Sequence, residues 1–147
     1  MDQRVWAIAF EANRRDRSVV PIVDGRPLTE LAARFESAAG MEPSGVYGGV
    51  IHVRQRFGPV DAYYLGAAHQ WNDDGFVELL SCDGCGEAGC WPLEADIRVT
   101  DTAVSWTSFR QPHRPERDYS GFGPFTFSKP EYVAAVDAAA RAISERA

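Results

Sequence analysis

The sequence predicts an α+β fold, with a mostly antiparallel sheet and two helices packed on one face of it. Two observations lead to this prediction. Extended segments rich in β-forming residues follow one another with turn signals between them, and two other stretches carry apolar residues at helical spacing. With 147 residues, 45% of them hydrophobic, the chain suits a single domain over residues 1–147 with a core of its own.

The first third of the chain predicts a hairpin and a helix. Residues 5–10 and 18–23 are rich in β-formers and flank a polar turn. Pro27 suits the first turn of a helix, and Gly40 is placed to end it. The apolar stripe of this helix is Leu28, Leu31, Ala32 and Phe35.

The middle of the chain predicts extended structure. Residues 46–53 and 60–65 read as two further strands, although glycines interrupt the first. Residues 72–75 form a strong turn signal, and the next strand is expected at 76–80.

The last third predicts a hairpin and a second helix. In the hairpin, which turns at 101–102, Val99 faces Val104 and Ile97 faces Trp106, because this register puts all four on one face. A second helix then begins at a capping-box pattern, Ser-Lys-Pro-Glu. Its predicted buried stripe is Val133, Val136, Ala140 and Ile143.

All three cysteines lie in the stretch SCDGCGEAGCWP, residues 81–92, for which three chemistries compete. Its glycines spell GxGxxG, but a phosphate loop of that type needs a helix directly after it, and Pro92 follows instead. A reactive thiol pair, or a reversible Cys82–Cys85 bond, is disfavoured by the surrounding acids, which would raise the thiol pKa.

A metal site is the favoured interpretation of the cysteine stretch. Extending the hairpin register puts Cys90 opposite His113, so that Cys82, Cys85, Cys90 and His113 would form a tetrahedral Cys3His set typical of zinc. A closed set would be structural, whereas an open one without His113 would leave room for catalysis. The alternative is that Cys82 is a core thiol and the other two cysteines are loop residues.

Charge limits the partners. The formal net charge of −6 argues against general nucleic-acid binding, and residues 57–97 contain acids but no Lys or Arg. The proline-containing run 110–117 is rich in arginine and could either be a solvated surface or line a pocket for an anionic small molecule.

Other polar and aromatic residues are expected to be structural. His52 and His69 read as solvent-facing or hydrogen-bonded imidazoles, without a catalytic setting. The aromatic residues are expected mainly in the core, with a few available for a surface patch. They are Trp71, Trp91, Trp106, Tyr63, Tyr64, Tyr119 and Phe122.

The second half resembles a family of small uncharacterised bacterial proteins with a Cys-rich loop. The matching elements are Gly-Cys-Trp-Pro at 89–92, Val-x-Trp at 104–106, Pro-His-Arg at 112–114 and Gly-Pro-Phe-x-Phe at 123–127. The family pattern has one residue between its first two cysteines, where this chain has two. The resemblance implies a recurring domain and no particular reaction.

Together these features favour a non-enzymatic interaction module of the adaptor or immunity type. Structural zinc in the Cys82–Cys90 loop is expected to stabilise it. The acidic composition suits a basic protein partner. The N-terminus has too short an apolar run for a signal peptide or membrane helix, so a cytoplasmic location without membrane contact is expected. The alternative is a metal- or thiol-dependent enzyme, or an accessory factor, that acts on an anionic small molecule.

Overall fold

The computed structural model describes residues 5–52, 60–66, 76–82 and 91–144. Within them the chain has an α+β fold of antiparallel strands and three helices, which confirms the predicted class. In chain order the elements are β1 (Ile8–Asn13), β2 (Ser18–Val23), β3 (Arg26–Pro27), α1 (Leu28–Ala38), β4 (Tyr47–Gly48), β5 (Val50–Ile51), α2 (Val60–Tyr64), β6 (Phe76–Cys82), β7 (Leu93–Val99), β8 (Ala103–Arg110), β9 (Phe125–Ser128) and α3 (Lys129–Ser144).

The described strands divide between two sheets. In the smaller sheet β2 pairs with β1, β3 and β5, and in the larger one the order is β4-β6-β7-β8-β9. Helix α1 packs against β2 and β3, whereas α3 contacts β1 of the small sheet and β8 and β9 of the large one. The two long helices therefore lie against different strands, and α3 joins the two sheets.

Both predicted helices are present. Helix α1 ends where expected, with Gly40 at a left-handed φ of 77°. At the start of α3 the Ser128 hydroxyl accepts a 3.5 Å hydrogen bond from the Glu131 amide, as in a capping box. Its most buried positions are Tyr132, Val136, Ala139 and Ile143, so two members of the predicted stripe are replaced by neighbours.

The prediction of a strand at residues 60–65 was wrong, because Val60–Tyr64 is a short helix. Tyr63 and Tyr64 are both buried, and a strand would have pointed them to opposite faces. The sequence carried a helical signal that the strand reading overlooked: proline precedes Val60, and Asp61 lies in the first turn.

The extended segment predicted at 46–53 is divided at Gly49. Strand β4 pairs with β6 in the large sheet, whereas β5 pairs with β2 in the small one. A Cβ atom at Gly49 would lie 2.8 Å from the carbonyl oxygen of Val19. Glycine is needed here because the backbone passes directly against β2 as it changes sheets.

The β7–β8 hairpin has the predicted register near its turn, where Val99 faces Val104 and Ile97 faces Trp106. The register then shifts by one residue, and Glu94 faces Arg110. Ser108 lies in this interval with a left-handed φ of 57°, which is typical of the extra residue in a β-bulge. The unshifted register cannot be extended past the bulge, so the step that placed Cys90 opposite His113 was wrong.

The predicted core aromatics that lie within the described residues are buried. Trp106 is fully buried, contacts the rings of Phe127 and Tyr132, and donates its indole N–H to the Tyr132 hydroxyl at 3.1 Å. Trp71 lies outside the described residues. The other predicted core aromatics are also buried: Trp91, Tyr63, Tyr64, Tyr119 and Phe122.

Candidate functional site

Two of the four predicted zinc ligands can be placed. Cys82 is the last residue of β6, half-buried and paired across the sheet with Tyr47, and His113 is exposed in the turn after β8. Cys85 and Cys90 lie outside the described residues, so the complete Cys3His set stays a prediction. Among the residues described, no three His, Cys, Asp or Glu side chains gather to hold a metal ion.

Trp91, which directly follows Cys90, lies beside the arginine run. The guanidinium carbon of Arg114 is 3.9 Å from the centre of its ring, and that of Arg117 is 5.1 Å away. The indole N–H donates a 3.0 Å hydrogen bond to the Gly45 carbonyl. The C-terminal end of the cysteine stretch is therefore next to the Arg110–Arg117 run, although the register argument for that proximity failed.

A buried polar cluster lies behind this tryptophan, centred on Glu36 of α1. The Glu36 side chain is 0% exposed. Its Oε1 accepts a 2.7 Å hydrogen bond from the Gly45 amide. Its Oε2 accepts hydrogen bonds of 2.5 Å from the hydroxyls of Tyr47 and Tyr119. The Arg117 guanidinium forms an ion pair with the same oxygen at 3.5 Å.

Gln111, which is also buried, links the cluster to Arg114. Its Nε2 donates a 2.6 Å hydrogen bond to the Tyr47 hydroxyl, and its Oε1 accepts one of 3.1 Å from Arg114. Arg117 also donates to the Pro43 carbonyl at 2.8 Å. The cluster thus ties the Arg110–Arg117 run to β4 and α1, with Glu36 as the shared acceptor.

The ionisation of this cluster is strongly perturbed. Burial, and then the hydrogen bond to Glu36, raise the pKa of Tyr47 and the pKa of Tyr119 above their ordinary value. Burial alone would lower the pKa of Arg117, but Tyr119 and the Glu36 carboxylate outweigh it and raise that pKa. At neutral pH the tyrosines therefore act as hydrogen-bond donors, and the arginine is charged.

Two cavities share Arg117 as a wall. The first, here called the acidic groove, has a volume of about 580 Å³. It is lined by Phe35, Ala39, Met41, Glu42, Glu116, Arg117, Asp118 and Gly121. The second, here called the basic cavity, has a volume of about 420 Å³. It is lined by Arg110, Gln111, Pro112, Pro115 and Arg117.

His52 has a structural setting, as the sequence predicted. It is buried, and its Nε2 lies 3.0 Å from the Tyr64 hydroxyl. Arg17 donates to its carbonyl oxygen at 2.9 Å. Burial, assisted by the Arg17 charge, lowers the pKa of His52 to about 4, so the imidazole is neutral at pH 7. His69 lies outside the described residues.

Glu36 was missed by the sequence analysis, although a signal for it was present. It lies four residues after Ala32 and eight after Leu28, which are both buried. Helical spacing therefore places a carboxylate on the apolar stripe itself. A charged residue on a buried face needs partners, so this position could have been identified as the centre of a polar cluster.

No protein-family model, curated protein or solved structure matches the chain. Within the described residues, each helix is too short or too polar to cross a membrane. The resemblance to a family with a Gly-Cys-Trp-Pro loop stays a prediction.

Proposed function

We propose that the chain is a non-enzymatic interaction module, of the adaptor or immunity type, that binds a basic side chain of a partner protein in the acidic groove. The observation that carries this proposal is the composition of the groove. Phe35 and Met41 are half-buried within it, and the exposed carboxylates of Glu42, Glu116 and Asp118 also line it.

Such a groove matches the two halves of a long basic side chain. The aliphatic stem of a lysine or arginine can pack on Phe35 and Met41, while its charged end meets the carboxylates. Hydrogen bonds from Ser120 lower the pKa of Asp118, which keeps this carboxylate ionised. Arg117 adds one positive charge to the wall, but its ion pair with buried Glu36 offsets it.

A labelled peptide with arginines spaced between leucines tests this proposal. We expect wild-type protein to bind it in a salt-sensitive manner, and we expect the Glu42→Lys, Glu116→Lys double variant to bind at least about tenfold more weakly, measured by fluorescence anisotropy. The Glu11→Lys, Asp137→Lys double variant is the matched control, because it makes the same change in net charge at two exposed positions that do not line the groove. Equal affinity of the groove variant and this control would refute the groove as the docking site.

We also propose that zinc stabilises the Cys82–Cys90 loop. Support comes from the Trp91 contacts, which hold the residue after Cys90 against Arg114, the sequence neighbour of His113. A metal there would fix the loop beside the arginine run.

Elemental analysis of the purified chain should find about one zinc per molecule, with Cys90→Ser losing it. Loss with His113→Ala as well indicates a closed Cys3His site, whereas retention indicates three protein ligands and an open position. A metal-free chain with three titratable thiols would contradict the zinc proposal.

A further inference from the structure

The Arg117 side chain is almost completely buried, and one of its terminal nitrogens has no hydrogen-bond acceptor among the described residues. Its side chain is 7% exposed, and one terminal nitrogen donates to the Pro43 carbonyl. The other, Nη1, is 3.5 Å from Glu36 Oε2 and makes no hydrogen bond within the described part of the chain. A carboxylate oxygen has two lone pairs, and this one already accepts from both tyrosines. Glu36 therefore supplies charge to Nη1 but not a hydrogen bond.

The basic cavity places a second guanidinium in the same wall. Arg110 is positioned there by a 2.9 Å ion pair with Glu94 and by packing over the Phe76 ring at 3.6 Å. Pro112 and Pro115 form other parts of the wall, and proline fixes its own backbone φ. The cavity therefore has restrained walls and two arginines.

We propose that the basic cavity binds a phosphate group, with the Arg110 and Arg117 guanidiniums that line it supplying positive charge and hydrogen-bond donors. The planar fork of a guanidinium matches the spacing of phosphate oxygens. Arg114, stacked on Trp91, adds a third positive charge on the same run. Three carboxylates, Glu36, Glu94 and Glu116, balance these three charges, so the preference for an anion depends on the lining of the cavity, whose described residues include two guanidiniums and no carboxylate.

Phosphate is favoured over a single carboxylate by charge and size. At neutral pH phosphate and its monoesters carry between one and two negative charges and offer three or more acceptor oxygens, which suits a cavity lined by two arginines. The 420 Å³ volume lies in the range of small-molecule sites, so the phosphate could be a free ion or part of a small ester.

Tryptophan fluorescence provides the readout, because Trp91 is in contact with Arg114 and near Arg117. Wild-type protein is titrated at constant ionic strength with inorganic phosphate, with glycerol 3-phosphate, and with glycerol as the uncharged control. We expect saturable binding of a phosphate probe with a dissociation constant below about 10 mM, and no response to glycerol. Tighter binding of the ester than of the free ion would identify a phosphorylated small molecule as the ligand, and the reverse would identify inorganic phosphate.

Arg110→Gln tests the geometry without disturbing the buried cluster, since Arg110 is 41% exposed. It should weaken binding at least about tenfold, the size of one lost charge-assisted contact. Arg34→Gln makes the same charge change at an exposed position of α1, and this variant should bind the phosphate probe as tightly as wild type does. The proposal is overturned if neither probe gives a saturable response, or if Arg110→Gln binds as well as Arg34→Gln. The groove variants Glu42→Lys and Glu116→Lys change a different wall, so the two proposals fail independently.

Discussion

Glu36→Ala should lower the free energy of unfolding by about 3–5 kcal/mol, the largest effect expected for a single polar substitution among the described residues. The substitution leaves the Arg117 charge buried without its carboxylate, and it removes the acceptor of the Tyr47 and Tyr119 hydroxyls. The Gly45 amide also loses its acceptor. Urea denaturation at pH 7, monitored by circular dichroism, measures the change.

Glu30→Ala is the matched control for this experiment. Glu30 lies on the same helix, so the change in helix propensity is the same, but its ion pairs with Arg26 and Arg34 are exposed. Glu30→Ala should lower the free energy of unfolding by less than about 1 kcal/mol. A similarly small effect of Glu36→Ala would mean that the Glu36 carboxylate is solvated and that the buried cluster does not hold the fold together.

A double variant identifies which lost interaction destabilises Glu36→Ala. If an uncompensated charge is the main cost, Arg117→Leu in the Glu36→Ala background should be less destabilising than the two separate changes added together. Strict additivity would instead assign the loss to the tyrosine and amide hydrogen bonds.

The sequence was sufficient to predict those elements that are indicated by residues close together in the chain. Strand β2 follows from its β-forming residues, and helix α1 from its apolar spacing, a proline and a terminal glycine. The hairpin register near its turn follows from apolar pairing. Strand β9, by contrast, was not predicted. Its four residues, Phe125–Ser128, do alternate apolar and polar side chains, but this is the shortest run in which such a pattern can indicate a strand.

The candidate site depended on features that sequence periodicity does not record. One extra residue at Ser108 shifts the register, so a count that was correct at Val99–Val104 fails at Cys90. The Glu36 cluster joins residues from separate elements. The sequence indicates it only through the position of Glu36 on the apolar stripe of α1. Long-range polar partners are chosen by tertiary packing, which explains why the acidic groove was not foreseen. The basic cavity, by contrast, lies on the run 110–117, for which a pocket was one of the two alternatives that the sequence left open.

Stability should fall as the pH is lowered through the range in which His52 takes up a proton in the unfolded chain. The folded-state pKa of His52 is about 4, against an ordinary value of 6.5. Above pH 6.5 the imidazole is neutral in both states and stability does not depend on it. Below 6.5 the unfolded chain gains a proton that the folded chain excludes, so unfolding becomes easier until the pH falls below about 4.

The expected loss attributable to His52 is about 2 kcal/mol between pH 7.5 and pH 5.0, approaching about 3 kcal/mol at lower pH. Urea midpoints measured at the two pH values in wild type and in His52→Gln give the difference, because glutamine does not titrate. If His52→Gln and wild type lose the same stability on acidification, His52 is accessible to protons in the folded state. Burial, assisted by the Arg17 charge, would then not keep the imidazole neutral in the folded protein.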